Sequence, residues 1–404
     1  MDSPTRYAGV DWATRSHAIC IVDERGAAVE QFTVEHTEPG LRTLGRRLVK
    51  AEVTQVAIER PDGPVIEALF TAGLEVVVIA SRHVKALRTR YGTAGNKDDR
   101  GDAFILADVL RTDGHRLRAL RPDSPETVTL RATVRARKDL VQTRIRLAQQ
   151  LRAHLELAYP GAVGLFWDLD SPIALRFLLR FPSATRAAWL SPKRMAAWLR
   201  SEGYSGRTSA DELHRRLEAA PLGVSGPEAE ARSAVTLAFV RALLAVRDQV
   251  AELEARIREQ LELHPDGAIF RSLPRAGQVR AAALLAEIGD VRERFPTPES
   301  LACLAGAAPS TRQSGQHLAV TFRFACDKKL RDALIDFAED SRFANPWAAK
   351  VYGDAIARHK THPHAGRILA RAWVYVLWRC WQDRVPYDPA RHRALQQVAV
   401  AKAA

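Results

Sequence analysis

Over the first 112 residues the apolar positions fall in short runs separated by polar turns. "RYAGVDW" (6–12), "HAICIVD" (17–23) and "AVEQFTV" (28–34) read as three successive strands, because β-branched and apolar residues dominate each run. After them the period changes to that of an amphipathic helix in "PGLRTLGRRLVKA" (39–51) and returns to strand in "VTQVAIE" (53–59). A helix over "PVIEALFTAG" (64–73), a fifth strand in "LEVVVIA" (74–80) and helices from Ser81 and from "DDRGDAFILADVL" (98–110) complete the region. "LRPDSPETV" (120–128) is a Pro-containing break, and beyond it the pattern is helical. Val134, Val141, Ala148 and Leu155 recur every seven residues. Phe239, Leu243, Val246, Val250, Leu253 and Ile257 alternate spacings of four and three, so both stretches predict coiled-coil seams. Between them, residues 160–230 carry Trp167, Trp189 and Trp198 among Pro and Gly punctuation, the pattern of a small helical insertion at the tip of a long hairpin. From Ala268 a third, mostly helical region runs to Asp388, and the final sixteen residues read as frayed.

Three strands in succession followed by helix-strand alternation imply an antiparallel meander continued by parallel strands with helices on the faces. That order matches a ribonuclease H-like fold. The fold class expected for the whole chain is therefore α/β plus all-α.

Composition narrows the function. The chain has 404 residues, 47% of them hydrophobic and 26% charged, enough for two or three globular domains. Its 60 Lys and Arg against 47 Asp and Glu leave a formal charge of +13, which points to a polyanionic partner. No apolar run is long enough to span a bilayer and the first residues lack a secretory pattern, so a cytoplasmic protein with no membrane partner is expected. Cys20, Cys303, Cys326 and Cys380 lie far apart, predicting reduced thiols and neither a disulfide framework nor a zinc site.

Against that basic background, "GNKDDRGDAFILADVL" (95–110) crowds Asp98, Asp99, Asp102 and Asp108 together. Asp11 ends the first predicted strand and Glu59 the fourth, where α/β sheets build their sites. Asp99 and Asp102, three apart, share one helix face that would pack beside those strand ends; Asp98 suits the helix N-cap. Four converging carboxylates are costly unless cations answer them. Mg²⁺, a hard oxygen-seeking ion that also bridges phosphate, fits, and two such ions suit phosphodiester cleavage; Mn²⁺ is a possible substitute. Read singly, Asp99 complements the helix dipole, Asp11 is a turn residue and Glu59 beside Arg60 is a surface ion pair. A second candidate is Ser314, beside Gly315 in "LAGAAPSTRQSGQH", where a loop would expose its hydroxyl; alone, "SG" is turn chemistry. G-x-S-x-G, P-loop and dinucleotide fingerprints are missing from the sequence.

"YAGVDWA", "VAIERP" and "NKDDRGDA", followed by "LPRAGQVRAAALLAEIGD" and "FPTPESLACLAGAAPSTRQSG", together resemble the insertion-sequence-110 family of transposases, the bridge-RNA-guided DNA recombinases. The resemblance covers most of the chain apart from the 160–230 insertion. It implies a RuvC-like DEDD nuclease domain at 1–120, a helical coiled-coil region at 121–262, a serine-containing transposase domain at 263–390 and a tail at 391–404. It matches Asp11, Glu59, Asp99 and Asp102 to the metal ligands and Ser314 to the serine that attacks a DNA phosphate. It further implies donor and target double-stranded DNA, a non-coding guide (bridge) RNA, and a homo-oligomer from dimer to tetramer in which domains of different subunits make a composite site. A bacterial, nucleoid-associated location follows from the same resemblance. Many relatives carry a Gly-Ile-Gly turn where this chain has "RAGQV", with Arg275 and Gln278. The alternative reading of the same carboxylates is a metal-dependent junction-resolving or RNA-cleaving nuclease that forms no covalent serine intermediate.

Seven basic residues lie between Arg131 and Arg152 against the single acid Asp139. Arg135, Arg137, Lys138 and Arg144 of this stripe, with Lys328, Lys329 and Arg331 near the serine, are the expected nucleic-acid contacts. His359, His362 and His364 bunch without an acid or cysteine to close a metal site, and the aromatics of "RAWVYVLWRCW" are expected in the core.

Overall fold

The computed structural model describes residues 5–91, 98–221, 223–315 and 317–403. Asn96 and Lys97 of the acidic motif and Gln316 after the serine lie outside them. The chain divides into two compact units, Met1–Pro122 and Asp123–Ala404.

The first unit is mixed α/β. Strands β1 (Arg6–Asp11), β2 (Ser16–Val22) and β3 (Ala28–Glu35) form the antiparallel meander. Helix α1 (Glu38–Lys50) leads to β4 (Val53–Ile58), then α2 (Pro64–Thr71), β5 (Glu75–Val78), α3 (Ser81–Tyr91) and α4 (Asp99–Asp113). The sheet order is β3-β2-β1-β4-β5, with β4 parallel to both β1 and β5. Interior strand β2 buries both faces from His17 to Val22, while edge strand β3 stays largely exposed. Helix α1 starts because Thr37 accepts a hydrogen bond from the Gly40 N–H, and it seats Leu41, Leu44 and Leu48 on the sheet. On the other face α4 presses against β1 at Gly9. A Cβ there would lie 2.1 Å from the Ala103 carbonyl oxygen and 2.6 Å from the Ala107 nitrogen, so glycine is what permits the approach.

The second unit is helical apart from one hairpin. Long helices α5 (Pro125–Ala158) and α10 (Gly226–Leu263) pack together, enclosing α6 (Pro172–Arg180), α7 (Ala184–Ala187), α8 (Pro192–Ser201) and α9 (Ala210–Ala219) in sequence. Next come α11 (Gly267–Arg271), α12 (Gly277–Ile288), α13 (Pro298–Leu304), β6 (Ser310–Ser314) and β7 (His317–Thr321). Helices α14 (Lys328–Ser341), α15 (Pro346–Ala357), α16 (His362–Gln382) and α17 (Arg393–Ala403) end the chain. The segment read as frayed is thus helical over Arg393–Ala403: "RALQQVAVAKA" is rich in helix formers and Val398 is buried.

Two separate apolar cores occupy this unit. A distal one gathers Leu151 and Leu155 of α5, Val240 and Leu243 of α10 and the short helices between them, with Phe166, Phe177, Phe181 and Trp198 packed edge to face. A proximal one joins Leu130 and Val134, Ile257 and Leu261 to α11–α16, with Trp373 and Trp381 fully buried and Trp378 part-buried against them, while Tyr375 of the same aromatic run is exposed. The seam of α10 is Thr236, Val240, Leu243, Val250, Ile257 and Leu261. Its phase differs from the predicted one at Phe239, Val246 and Leu253, because Arg247 and Glu254 occupy seam positions between the cores. On α5 the corresponding positions are Arg137 and Arg144, in register with Leu130, Val134, Leu151 and Leu155.

The basic stripe is engaged in ion pairs within the chain. Arg137 donates to Glu254 at 2.9 and 2.6 Å, and Arg144 meets Asp170 at 3.0 Å, with Arg247 donating to the Asp170 carbonyl. Arg135 grips Glu287 with two bonds of 2.9 and 2.7 Å, and Lys138 pairs with Asp332 at 3.0 Å. Four residues read as phosphate contacts have carboxylate partners within the chain. For Arg137 and Arg144 periodicity hid this, because a cation at a seam position looks, in sequence, like one on the outer face.

Candidate functional site

The register of the sheet decides where the first two acids stand. Val10 pairs with Ile58 across parallel β1 and β4, so Asp11, the last residue of β1, and Glu59, the residue that follows β4, stand at neighbouring strand ends. Ser81, opening α3, donates its hydroxyl to Glu59 at 2.6 Å. Asp98 caps α4 by accepting from the Arg100 N–H at 3.3 Å, leaving Asp99 exposed in the first turn. Asp102 is one turn further in, 3% exposed, carried toward β1 by the contact at Gly9. Asp108, the last acid of the run, is paired with Arg111 at 2.6 Å.

A cation already answers part of this charge. Arg88 of α3 holds both oxygens of Asp102, Nε at 2.7 Å and a terminal nitrogen at 2.6 Å. The bidentate bond to Asp102, with Glu59 and Asp11 in electrostatic reach, raises the guanidinium's affinity for its proton. Among the described residues no three His, Cys, Asp or Glu side chains are grouped closely enough to hold a metal ion, since Asp102 is turned to Arg88 and Asp99 to solvent.

The loops beside the acids are pinned by aromatic contacts. Arg60 lies 4.4 Å above the Trp12 ring and pairs with Asp62, so Glu59 is not its partner. Fully buried His17 accepts from the Ala13 N–H through Nδ1 at 3.3 Å and meets Nδ1 of His36 through Nε2 at 2.9 Å. With Nδ1 an acceptor, the ring is neutral; burial, and next the His36 charge, lower its pKa to about 4.

Ser314 belongs to the second unit. It ends β6 and pairs with His317 at the mouth of the turn, where Gly315 takes φ +56°, a left-handed conformation that suits glycine. The ribbon is exposed almost throughout, Leu318 and Val320 included. Its base is tied by Arg323, which donates to the Ala308 and Pro309 carbonyls, and by Arg331 and Arg367 over the Phe322 ring. Lys328 and Lys329 are exposed in the first turn of α14, where Asp327 accepts from the Lys329 and Leu330 N–H groups. Arg275, in the "RAGQV" turn, adopts φ +56° and donates to Asp340 at 2.9 Å, a bond that offsets part of the strain.

Sequence reasoning missed Arg88, Ser81 and His17. Ser81, Val84 and Arg88 share one face of α3, which the burial of Val84 shows to be the inward one, but the spacing alone names no partner for Arg88.

Two family models match the chain, one described as a transposase over residues 8–160 and one as a transposase of the IS116/IS110/IS902 family over residues 267–353. The chain is 33% identical over 408 residues to the mini-circle putative transposase for IS117 of Streptomyces coelicolor, spanning 96% of this chain and 97% of that protein. It is 27% identical to an uncharacterized 43.6 kDa protein of insertion element IS110 of Streptomyces coelicolor, over 95% of both chains. The 42 kDa protein of insertion element IS900 of Mycobacterium paratuberculosis is 28% identical over 95% of this chain and 97% of its own. Similarity that runs nearly end to end, through the strand-end acids and the serine hairpin alike, makes this chain a DNA transposase of the IS110 family.

Proposed function

We propose that this transposase is an RNA-guided DNA recombinase that cuts and rejoins DNA through a serine-linked intermediate. The juxtaposition of Asp11 and Glu59 at neighbouring strand ends, with Asp102 beside them in the charge field of Arg88, carries the reading. The β3-β2-β1-β4-β5 order supports a ribonuclease H-like, RuvC-like frame, and α5 with α10 supports a coiled-coil arm. Asp11, Glu59, Asp99 and Asp102 offer only carboxylate oxygens, a donor set that fits hard divalent cations, two Mg²⁺ or Mn²⁺ in their place. When bound, such ions supply charge stabilisation at a scissile phosphate.

The remaining chemistry belongs to the chain. Ser314 Oγ attacks phosphorus and its proton leaves to solvent; the Oγ–P bond forms as one bond from phosphorus to a sugar oxygen breaks, and that oxygen leaves protonated. The covalent link retains the phosphodiester energy, so a second sugar hydroxyl can reverse the step on another strand. Lys328 and Lys329, exposed beside the hairpin, suit DNA phosphates. Guide RNA pairing with donor and target DNA would supply the specificity, and a dimer or tetramer the sharing of a phosphate between one subunit's acids and another's serine.

Incubation of labelled DNA with the protein, its copurifying RNA and Mg²⁺ tests this. A covalent protein-DNA adduct is expected with the unaltered protein and lost in Ser314→Ala and in Asp11→Ala. Free cut ends that persist in Ser314→Ala would instead establish the metal-dependent nuclease, and efficient recombination of naked DNA without RNA would remove the guide.

A further inference from the structure

Arg88 differs from the inter-helix ion pairs of the second unit in having two further acids, Glu59 and Asp11, in electrostatic reach. Its partner Asp102 comes from another helix, and its guanidinium stands among the strand-end acids. Asp108 on the same helix shows the contrast, since its partner Arg111 lies one turn along α4 and also donates to the Glu24 carbonyl. The fork of Arg88 uses both oxygens of Asp102, so any other cation on that carboxylate competes with it directly. Asp102 is too buried to stand ionised without a partner, yet the side chain of Arg88 is about a quarter exposed, at 27%, and so already reaches solvent. A guanidinium binds phosphate in the same two-pronged way that it binds carboxylate.

We propose that Arg88 is an exchangeable placeholder in the carboxylate site: it holds Asp102 until that side chain passes to a divalent cation, and the released guanidinium then grips a phosphate of the nucleic acid. The proposal rests on the metal-site reading above. The exchange trades one cation for another on Asp102, so the buried charge is never left alone. It also couples two ligands, because cation binding frees Arg88 for phosphate and phosphate draws Arg88 from Asp102, each strengthening the other by the same factor.

Calorimetric titration of the full chain with Mn²⁺ tests the exchange, using the unaltered protein, Arg88→Lys and Arg88→Gln. Removing the competitor is expected to tighten Mn²⁺ binding in the order unaltered, Lys, Gln, with the Gln variant gaining roughly fivefold or more. In the same proteins, Mn²⁺ should strengthen binding of a short DNA duplex for the unaltered chain and much less for Arg88→Gln. A clamp that merely orients Asp102 gives the reverse order, with the unaltered protein binding Mn²⁺ most tightly; that result, or equal affinities, overturns the proposal while leaving the metal site standing. No Mn²⁺ binding by any of the three sinks the metal-site reading and the exchange with it. Should Arg88→Gln fail to fold, Arg88→Lys, which keeps the charge and loses the fork, decides the sign.

Discussion

Asp102 rides on a helix pressed so closely to β1 that Gly9 has no room for a methyl group, whereas Ser314 stands at the end of a ribbon that exposes nearly every side chain. The acids need that confinement because like charges brought together separate unless packing and a counter-cation restrain them. A serine hydroxyl is neutral, and presenting it to a bulky polyanion requires reach rather than enclosure. The first site should therefore lose stability and activity together, while the second should lose activity alone.

The largest stability effect is expected at Gly9. A methyl group there must push α4 from the sheet, and Gly9→Ala should cost about 3 kcal/mol or more, read as a lowered midpoint in urea. An intermediate effect should come from acidification. His17 is neutral when folded, with a pKa of about 4, and titrates near 6.5 when unfolded, so the unfolded chain binds the extra proton between those values. Stability is then complete above pH 6.5 and falls as the pH drops toward 4, by up to about 3 kcal/mol from this group. The thermal midpoint of His17→Gln should depend less steeply on pH in that window. The smallest effects belong to the hairpin. Gly315→Ala should cost about 1 kcal/mol for its left-handed φ, and Ser314→Ala less than about 0.5 kcal/mol although adduct formation is abolished. A large loss of stability in Ser314→Ala would erase the contrast between the two sites.

Much of the first unit was legible because its strands and helices each obey one period, and Asp98 announced itself as a cap by preceding an apolar helix. The interior of the long helices was less legible. Arg137, Arg144, Arg247 and Glu254 sit at seam positions where a pattern rule expects apolar residues, so the rule moved its phase by one residue and counted the cations as surface. What settled them was Glu254 and Asp170, partners that are distant in sequence. Arg88 escaped for a related reason: its role is fixed by Asp102, and no spacing within α3 points to α4.

The charged waist between the two cores of the second unit has an evolutionary corollary. The distal core closes on itself, and α5 enters it beside the point where α10 leaves, so the lobe is joined to the rest by neighbouring chain ends. Leu130, Val134, Ile257 and Leu261 would still close the proximal core if that lobe were shortened or exchanged. Such a module can vary among mobile elements, and acquire new contacts, without renegotiating the fold that carries the serine.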